Sequence, residues 1–211
     1  MNKINNEASV GPDRRIAFFD SLSTHWDDDE QNPIETVKRL EGLGDYLKLA
    51  PSQRVLEVGC GTGQITGFLA DRVSPGSVTA VDFSSEMLAK AKRKNINATF
   101  IQMDICGEIP PIGQFDQVLC FHSFPHFRDQ EVAMVALAKL LIPGGRLVVM
   151  HMASSQAINH FHDHAGGAVA GDHLPDEEGW NRLLSKAGLK RETFVDREGL
   201  FVLSATRQGT F

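Results

Sequence analysis

Short apolar runs alternate along the chain with stretches whose apolar residues recur every three or four positions. Arg54–Val58, Ser77–Asp82, Ala98–Met103, Phe115–Phe121 and Arg146–His151 are strand-length and apolar. Between them, Gln64–Arg72, Ser85–Lys94, Asp129–Leu141 and Ser155–Ala165 read as helices, and another runs from Pro175 and Asp176 to about Ala187. Ahead of the first strand, Ile34, Val37, Leu40, Leu43 and Leu47 predict one amphipathic helix over Pro33–Leu49. Asn32 is its N-cap and Pro33 its first residue. Arg15–Leu22 predicts a short helix, residues 1–15 are polar and expected to be loosely held, and Thr24–Asn32 reads as an acidic loop. At the other end, Arg191–Val195 and Leu200–Ala205 predict a hairpin turning at Asp196–Gly199.

Strands that alternate with helices pair in parallel and are covered on both faces. The terminal hairpin adds an antiparallel edge. A ligand site in such a sheet lies beyond the carboxyl ends of the strands, and the residues with chemistry to offer follow those ends. The first strand runs into Glu57-Val58-Gly59-Cys60-Gly61-Thr62-Gly63. Alternate glycines let the backbone turn sharply and let a ligand touch it. A dinucleotide fingerprint would place its third glycine at position 64, which is Gln. Glu57 does not suit a phosphate cradle but does suit a ligand with an ammonium group. Asp82, at the end of the second strand, is placed to accept from a ribose hydroxyl pair. Asp104, after the third strand, has the chemistry to accept from an adenine amino group while Ile105 packs on the ring. Singly, each residue reads equally as a turn former or cap. Three such signals at successive strand ends favour a site.

These residues resemble the motifs of class I S-adenosylmethionine-dependent methyltransferases. Glu57-x-Gly59-x-Gly61-x-Gly63 is similar to the first motif, Asp82 to the second, and Asp104-Ile105 to the third. Leu141–Leu147 resembles the turn before the fifth strand. Phe18–Ser21 through His25–Asp27 resembles the leading segment of the ubiquinone/menaquinone C-methyltransferase-like branch. The resemblance implies an α/β, Rossmann-like, doubly wound sheet of seven strands, ordered 3-2-1-4-5-7-6 with the last strand antiparallel, and an N-terminal helical cap. Residues 1–32 would be a flexible N-terminus and lid, and 33–211 the methyltransferase domain. It also implies that Glu57, Gly59, Cys60, Gly61, Gly63, Asp82, Phe83, Met87, Asp104, Ile105, Phe121 and His122 hold S-adenosylmethionine and its product S-adenosylhomocysteine. Phe18, Phe19 and Trp26 read equally as caps on the first helix and as a lid that excludes water.

The segment after the fourth strand, Cys120–Phe127, lacks the Asn/Asp-Pro-Pro-aromatic motif of adenine methyltransferases and the Pro-Cys of cytosine C5 enzymes. Charge agrees: 21 Lys and Arg against 27 Asp and Glu give a net charge of -6, a poor footprint for nucleic acid or an anionic membrane. No apolar run is long enough to span a bilayer. The start has no signal-peptide pattern, and three scattered cysteines suggest reduced thiols, so the expected compartment is the cytoplasm.

Histidine usage is skewed. There are eight, and seven fall between His122 and His173, all after strand ends. One reading leaves most of them solvated; His160, His162 and His164 advance about 200° per step on a helix, so at most two face one site. A second makes His126, His151 and His162 acceptor-binding groups or general bases, since neutral imidazole takes up a proton near pH 7. Asn159 and His162 share a helical face and would both aim inward. A third makes the same histidines, with Asp163 or Asp172, ligands of a metal or of a metal-containing acceptor. A methyltransferase for a small molecule and a non-catalytic cofactor-binding module share all these cofactor motifs. Acceptor and oligomeric state are open at this stage.

Overall fold

A computed structural model of the protein describes residues 13–28 and 32–209. Its seven-stranded sheet has the order β3-β2-β1-β4-β5-β7-β6. The strands are β1 (Arg54–Val58), β2 (Ser77–Asp82), β3 (Thr99–Gln102), β4 (Phe115–Phe121), β5 (Leu141–His151), β6 (Leu189–Arg197) and β7 (Leu200–Arg207). The first five pair in parallel, with Leu56 opposite both Thr79 and Val118. β7 runs antiparallel to β5 and β6. The expected order and antiparallel last strand are therefore present.

The helices are α1 (Arg14–Leu22), α2 (Pro33–Glu41), α3 (Gly44–Leu47), α4 (Thr66–Val73), α5 (Ser85–Arg93), α6 (Gln130–Leu140), α7 (Ser155–Ala165) and α8 (Glu177–Lys186). Side chains of Asn32, Ser84, Asp129, Ser154 and Asp176 accept from free N–H groups in the first turns of α2, α5, α6, α7 and α8. Each such cap contributes about 1 kcal/mol.

Period-two alternation sorts the core. Val118 and Cys120 of β4 face one side of the sheet with Met134, Leu137, Trp180 and Leu184 from α6 and α8. Leu119 and Phe121 face the other with Leu40, Leu47, Leu69 and Val73 from α2 to α4. Every parallel strand thus delivers its carboxyl end to the same edge, where the loops that follow are free to carry function.

Three expectations change. The single helix over Pro33–Leu49 is two, because Gly42 and Gly44 have no side chain to hold the intervening turn and α2 ends at Gly42. Pro143–Gly145 is not a turn before the fifth strand. It lies inside β5 as an irregularity, with the register slipping between Phe115 and Gln117 of β4. Asp13 and Arg14 are not in a loose leader: α1 begins at Arg14, one residue before the expected start, capped by the Asp13 carboxylate accepting from the Arg15 N–H at 3.0 Å. Residues 1–12, expected to be loosely held, and residues 29–31 of the acidic loop lie outside the described residues.

Candidate active site

The glycine turn after β1 is built by close approach. Gly59 has φ +73°, and a Cβ there would stand 2.4 Å from the Ser123 Cβ, so only glycine fits. Ser123 in turn donates to the Val58 carbonyl at 2.6 Å, fastening the loop after β4 to the turn after β1. Gly63 sits against α5, where a Cβ would approach that of Ala91 to 3.2 Å. The second glycine of the turn, Gly61, donates its N–H to Asp82 at 2.8 Å.

Asp82 is buried and also accepts from the Ser84 N–H at 2.9 Å. Burial pushes its carboxyl up to about 6, against those N–H bonds, and the charge of Asp20 adds to the rise. Glu57 is buried beneath the turn and accepts from the Thr66 hydroxyl at 2.6 Å. Burial raises its carboxyl to about 8 despite that bond, with the Asp82 charge adding to the rise. Asp104 accepts from the Cys106 N–H at 2.8 Å and pairs with Arg128.

One cleft, with about 660 Å³ of empty space including its open mouth, joins these ends. Of the residues expected to hold the cofactor, Gly59, Gly61, Asp82, Phe83, Met87, Asp104, Ile105 and His122 line it. Glu57, Cys60, Gly63 and Phe121 do not. Glu57 and Gly63 support the turn from behind, burial raises the Cys60 thiol well above its ordinary value, and Phe121 packs its ring 4.2 Å from that of His122. Six lining residues were not on the sequence-derived list: Asp13, Val58, Met103, Ser123, Phe127 and Arg128. Ser123 and Phe127 sit in the segment already singled out after β4. Asp13 and Arg128 carry no motif and are recruited by tertiary contact alone.

The N-terminal segment closes one side. Phe19 and Trp26 line the cleft and pack with Phe18, Phe83, Met87 and Val169. The Asp20 carboxylate accepts from the Ser84 hydroxyl at 2.5 Å, Lys90 donates to the Thr24 carbonyl at 2.6 Å, and Asp27 pairs with Lys94 at 2.7 Å. Asp27 also accepts from the Thr62 hydroxyl within the glycine turn.

Four of the histidines gather at the other side. The rings of His122 and His151 are 5.2 Å apart and those of His126 and His162 are 4.9 Å apart. His122 and His126 line the cleft, whereas His151 and His162 are buried behind them. His122 has φ +55°, a backbone conformation costly for a residue with a Cβ and common where function constrains the chain. Its Nε2 accepts from the Met152 N–H at 3.2 Å, so this nitrogen carries no proton. Burial, reinforced by the charges of Arg39 and His126, lowers its imidazole to about 4. Burial lowers His151 and His162 as well, and neighbouring histidines act in the same direction. His151 Nε2 and His162 Nδ1 are buried without a hydrogen-bond partner. His126 Nδ1 meets the Asp172 carboxylate at 2.9 Å.

His160, His164 and His173 are exposed. The first two pack on each other at 4.3 Å, and His173 pairs with Asp163. Asn159 does not aim at the cleft: its amide donates to the Leu174 carbonyl at 3.1 Å and accepts from the Leu174 N–H at 2.8 Å. Among the described residues, no three histidines, cysteines or carboxylates converge as metal ligands.

Residues 55–145 match the family described as a methyltransferase domain. The chain is 37% identical over 108 residues to the demethylmenaquinone methyltransferase of Thermus thermophilus, covering 49% of each chain. It is 32% identical over 146 residues to the biotin biosynthesis bifunctional protein BioCD of Bordetella avium, covering 67% of this chain and 31% of that one. The chain thus spans between about a third and a half of the length of these curated relatives. Among solved structures, the N-methyltransferase NodS of Bradyrhizobium japonicum in complex with S-adenosylhomocysteine superposes with a TM-score of 0.68. It is 17% identical, and the match covers 93% of this chain and all of that one. Fold, glycine turn and relatives agree: residues 55–145 match a methyltransferase domain, and the chain is similar to S-adenosylmethionine-dependent methyltransferases, those of ubiquinone and menaquinone biosynthesis among them.

Proposed function

We propose that the protein transfers the methyl group of S-adenosylmethionine to a small-molecule acceptor held beside His122 and His126. The observation that carries this reading is the single cleft in which Gly59, Gly61 and Asp82 stand together with those two histidines. The residues present suit the cofactor. The glycine turn leaves room for direct backbone contact, Asp82 offers its carboxylate to a hydroxyl pair, and Glu57 supports the turn from beneath. Phe83, Met87 and Ile105 provide apolar walls for a flat ring, and Asp104 an acceptor at its edge. When bound, the cofactor supplies an electrophilic methyl group on a sulfonium, which leaves as a neutral thioether.

The chain's own part is mostly positioning. Holding two reactants in line lowers a barrier by several kcal/mol without any chemical group taking part. Phe19 and Trp26 exclude water from the same space, and residues 13–28 act as the cap on a domain that begins near Pro33. His126, with His151 and His162 behind it, binds the acceptor or takes its proton. A small acceptor fits better than nucleic acid, given the net charge of -6 and a cleft walled by aromatic rings. Among the described residues no helix is long and apolar enough to cross a membrane. The three free cysteines favour the reducing cytoplasm as the working compartment.

Titration calorimetry with S-adenosylhomocysteine tests the reading. The expected result is one site per chain, weakened at least tenfold by Asp82→Ala. No binding by the intact protein sinks it. Binding without turnover on any acceptor would leave a cofactor-sensing module in its place.

A further inference from the structure

His126 is held by a chain of charged groups drawn from three separate parts of the fold. Its Nδ1 lies 2.9 Å from Asp172 Oδ2, and Asp172 follows the short turn of residues Gly167–Val169 after α7. Arg15, on α1, approaches the same carboxylate from the far side, with its Nε 3.1 and 3.2 Å from the two oxygens and its Nη2 3.1 Å from Oδ1. Asp13 completes the series by pairing with the Arg15 Nη1 at 3.1 Å. Asp172 is buried, with 5% of its side chain exposed. Burial alone would raise its carboxyl, but the hydrogen bonds from His126 and Arg15 and the Arg15 charge hold it below the usual carboxylate range. A buried anion so paired is an acceptor only, so the proton on Nδ1 belongs to His126. The other nitrogen of the ring, Nε2, is left for a ligand, and the ring lines the cleft.

We propose that Arg15 and Asp172 are positioning residues that fix His126 with Nε2 unprotonated toward the cleft, as base for an acceptor whose attacked atom carries a proton. The relay is complete only when α1 is docked. The proposal rests on the methyltransferase reading above. As the acceptor's electron pair goes to the methyl carbon, the carbon–sulfur bond breaks with its pair staying on sulfur, the acceptor's bond to hydrogen breaks, and the proton forms a new bond to Nε2. The relay's carboxylate then faces an imidazolium and stabilises it.

The α1 dependence follows from where Arg15 sits. The Phe19 ring, one turn further along the same helix, meets the His126 ring edge-on at 5.0 Å and packs with Val169. Docking of α1 therefore covers the cleft, presses on the imidazole and supplies the guanidinium to Asp172 in one movement. The ionisable groups that face His126 are Asp172 and Arg15 across the relay, and His162, His151 and His122 on the cluster side. Burial lowers all three of those histidines, so at neutral pH they are uncharged and do not compete for the carboxylate.

Nitrogen-15 spectra of histidine-labelled protein, recorded with and without S-adenosylhomocysteine, distinguish the two neutral tautomers of His126, assigned by comparison with His126→Gln. The expected spectrum has the proton on Nδ1. Asp172→Asn shifts that population toward the Nε2–H form, Arg15→Ala shifts it in the same direction, and Arg15→Lys shifts it less. A proton on Nε2 in the unaltered protein, or a spectrum unmoved by Asp172→Asn, overturns the relay. Should Asp172→Asn fail to fold, the Arg15 pair decides, since Arg15 is on the surface side of the relay: identical spectra for Arg15→Ala and the unaltered protein overturn it. Calorimetry on the same samples separates this from the wider reading. Loss of S-adenosylhomocysteine binding by the unaltered protein defeats the methyltransferase assignment whatever the tautomer.

Discussion

At the scale of the single residue, the fold buries carboxyl groups at and beneath the glycine turn. Glu57 holds its proton to about pH 8, while the unfolded chain would lose it near 4.5. Between those values the folded state binds more protons than the unfolded one, so stability falls as pH rises. Asp82 acts in the same sense only below about pH 6. His122, His151 and His162, lowered by burial, act in the opposite sense below 6.5. Between pH 6.5 and 8 the slope belongs to Glu57. The melting temperature of the ligand-free protein is expected to drop across this interval, and Glu57→Gln, which mimics the protonated form, is expected to flatten it. Thermal melts at closely spaced pH values measure this, and an equal slope in Glu57→Gln would disprove it. Sequence reading placed Glu57 in the glycine motif as a partner for an ammonium group. It had no access to the burial that protonates the carboxyl, because the Thr66 hydroxyl and the closed turn come from folding.

At the scale of the element, pattern and outcome agree where one period governs a whole segment. The strands β1, β2 and β4 run over the expected residues, because short segments rich in apolar residues and bounded by turn formers suit a doubly covered parallel sheet. The segment after α7 was harder to read. Asn159 and His162 share a helical face, as their spacing implied, but only His162 joins the ring cluster. Asn159 is consumed by two hydrogen bonds to Leu174, fastening the loop that carries Asp172. Spacing along a helix gives direction; it does not give the partner that arrives from fifteen residues later. Asn159→Ala removes both bonds and leaves a half-buried N–H and C=O without partners, at a cost of about 1–3 kcal/mol. Hydrogen exchange is expected to accelerate at Leu174 and neighbouring amides more than at β4 or β5. Uniform acceleration across the sheet, or none, would argue that the clamp is not local.

At the scale of the whole molecule, the sheet gathers the cleft at one edge, and the described part of the N-terminal segment packs along its side. The histidine excess takes its meaning from this arrangement. His122, His126, His151 and His162 come from the two connections that follow β4 and β5 at one edge, and the fold gathers them, while His160, His164 and His173 stay in solvent. A count of residues along the chain contained the excess but not this division. The cover is legible only in part, since its aromatic residues were equally suited to capping a helix. Its contacts decide the geometry. The Trp26 Nε1 lies 3.5 Å from where a Cβ on Gly61 would stand, so the indole sits over the glycine turn, tilted at 70° against Phe19. Trp26 is half-exposed, and a ligand on that turn would bury the indole further. Trp26→Ala is therefore expected to weaken S-adenosylhomocysteine about tenfold, or about 1.4 kcal/mol, and to cost the free protein less than that. Phe161→Ser, on the exposed outer side of α7, is expected to change neither quantity. Calorimetry and chemical denaturation on the three proteins test the difference. Equal losses of binding and folding energy in Trp26→Ala would make Trp26 a structural cap on α1 rather than part of the cover.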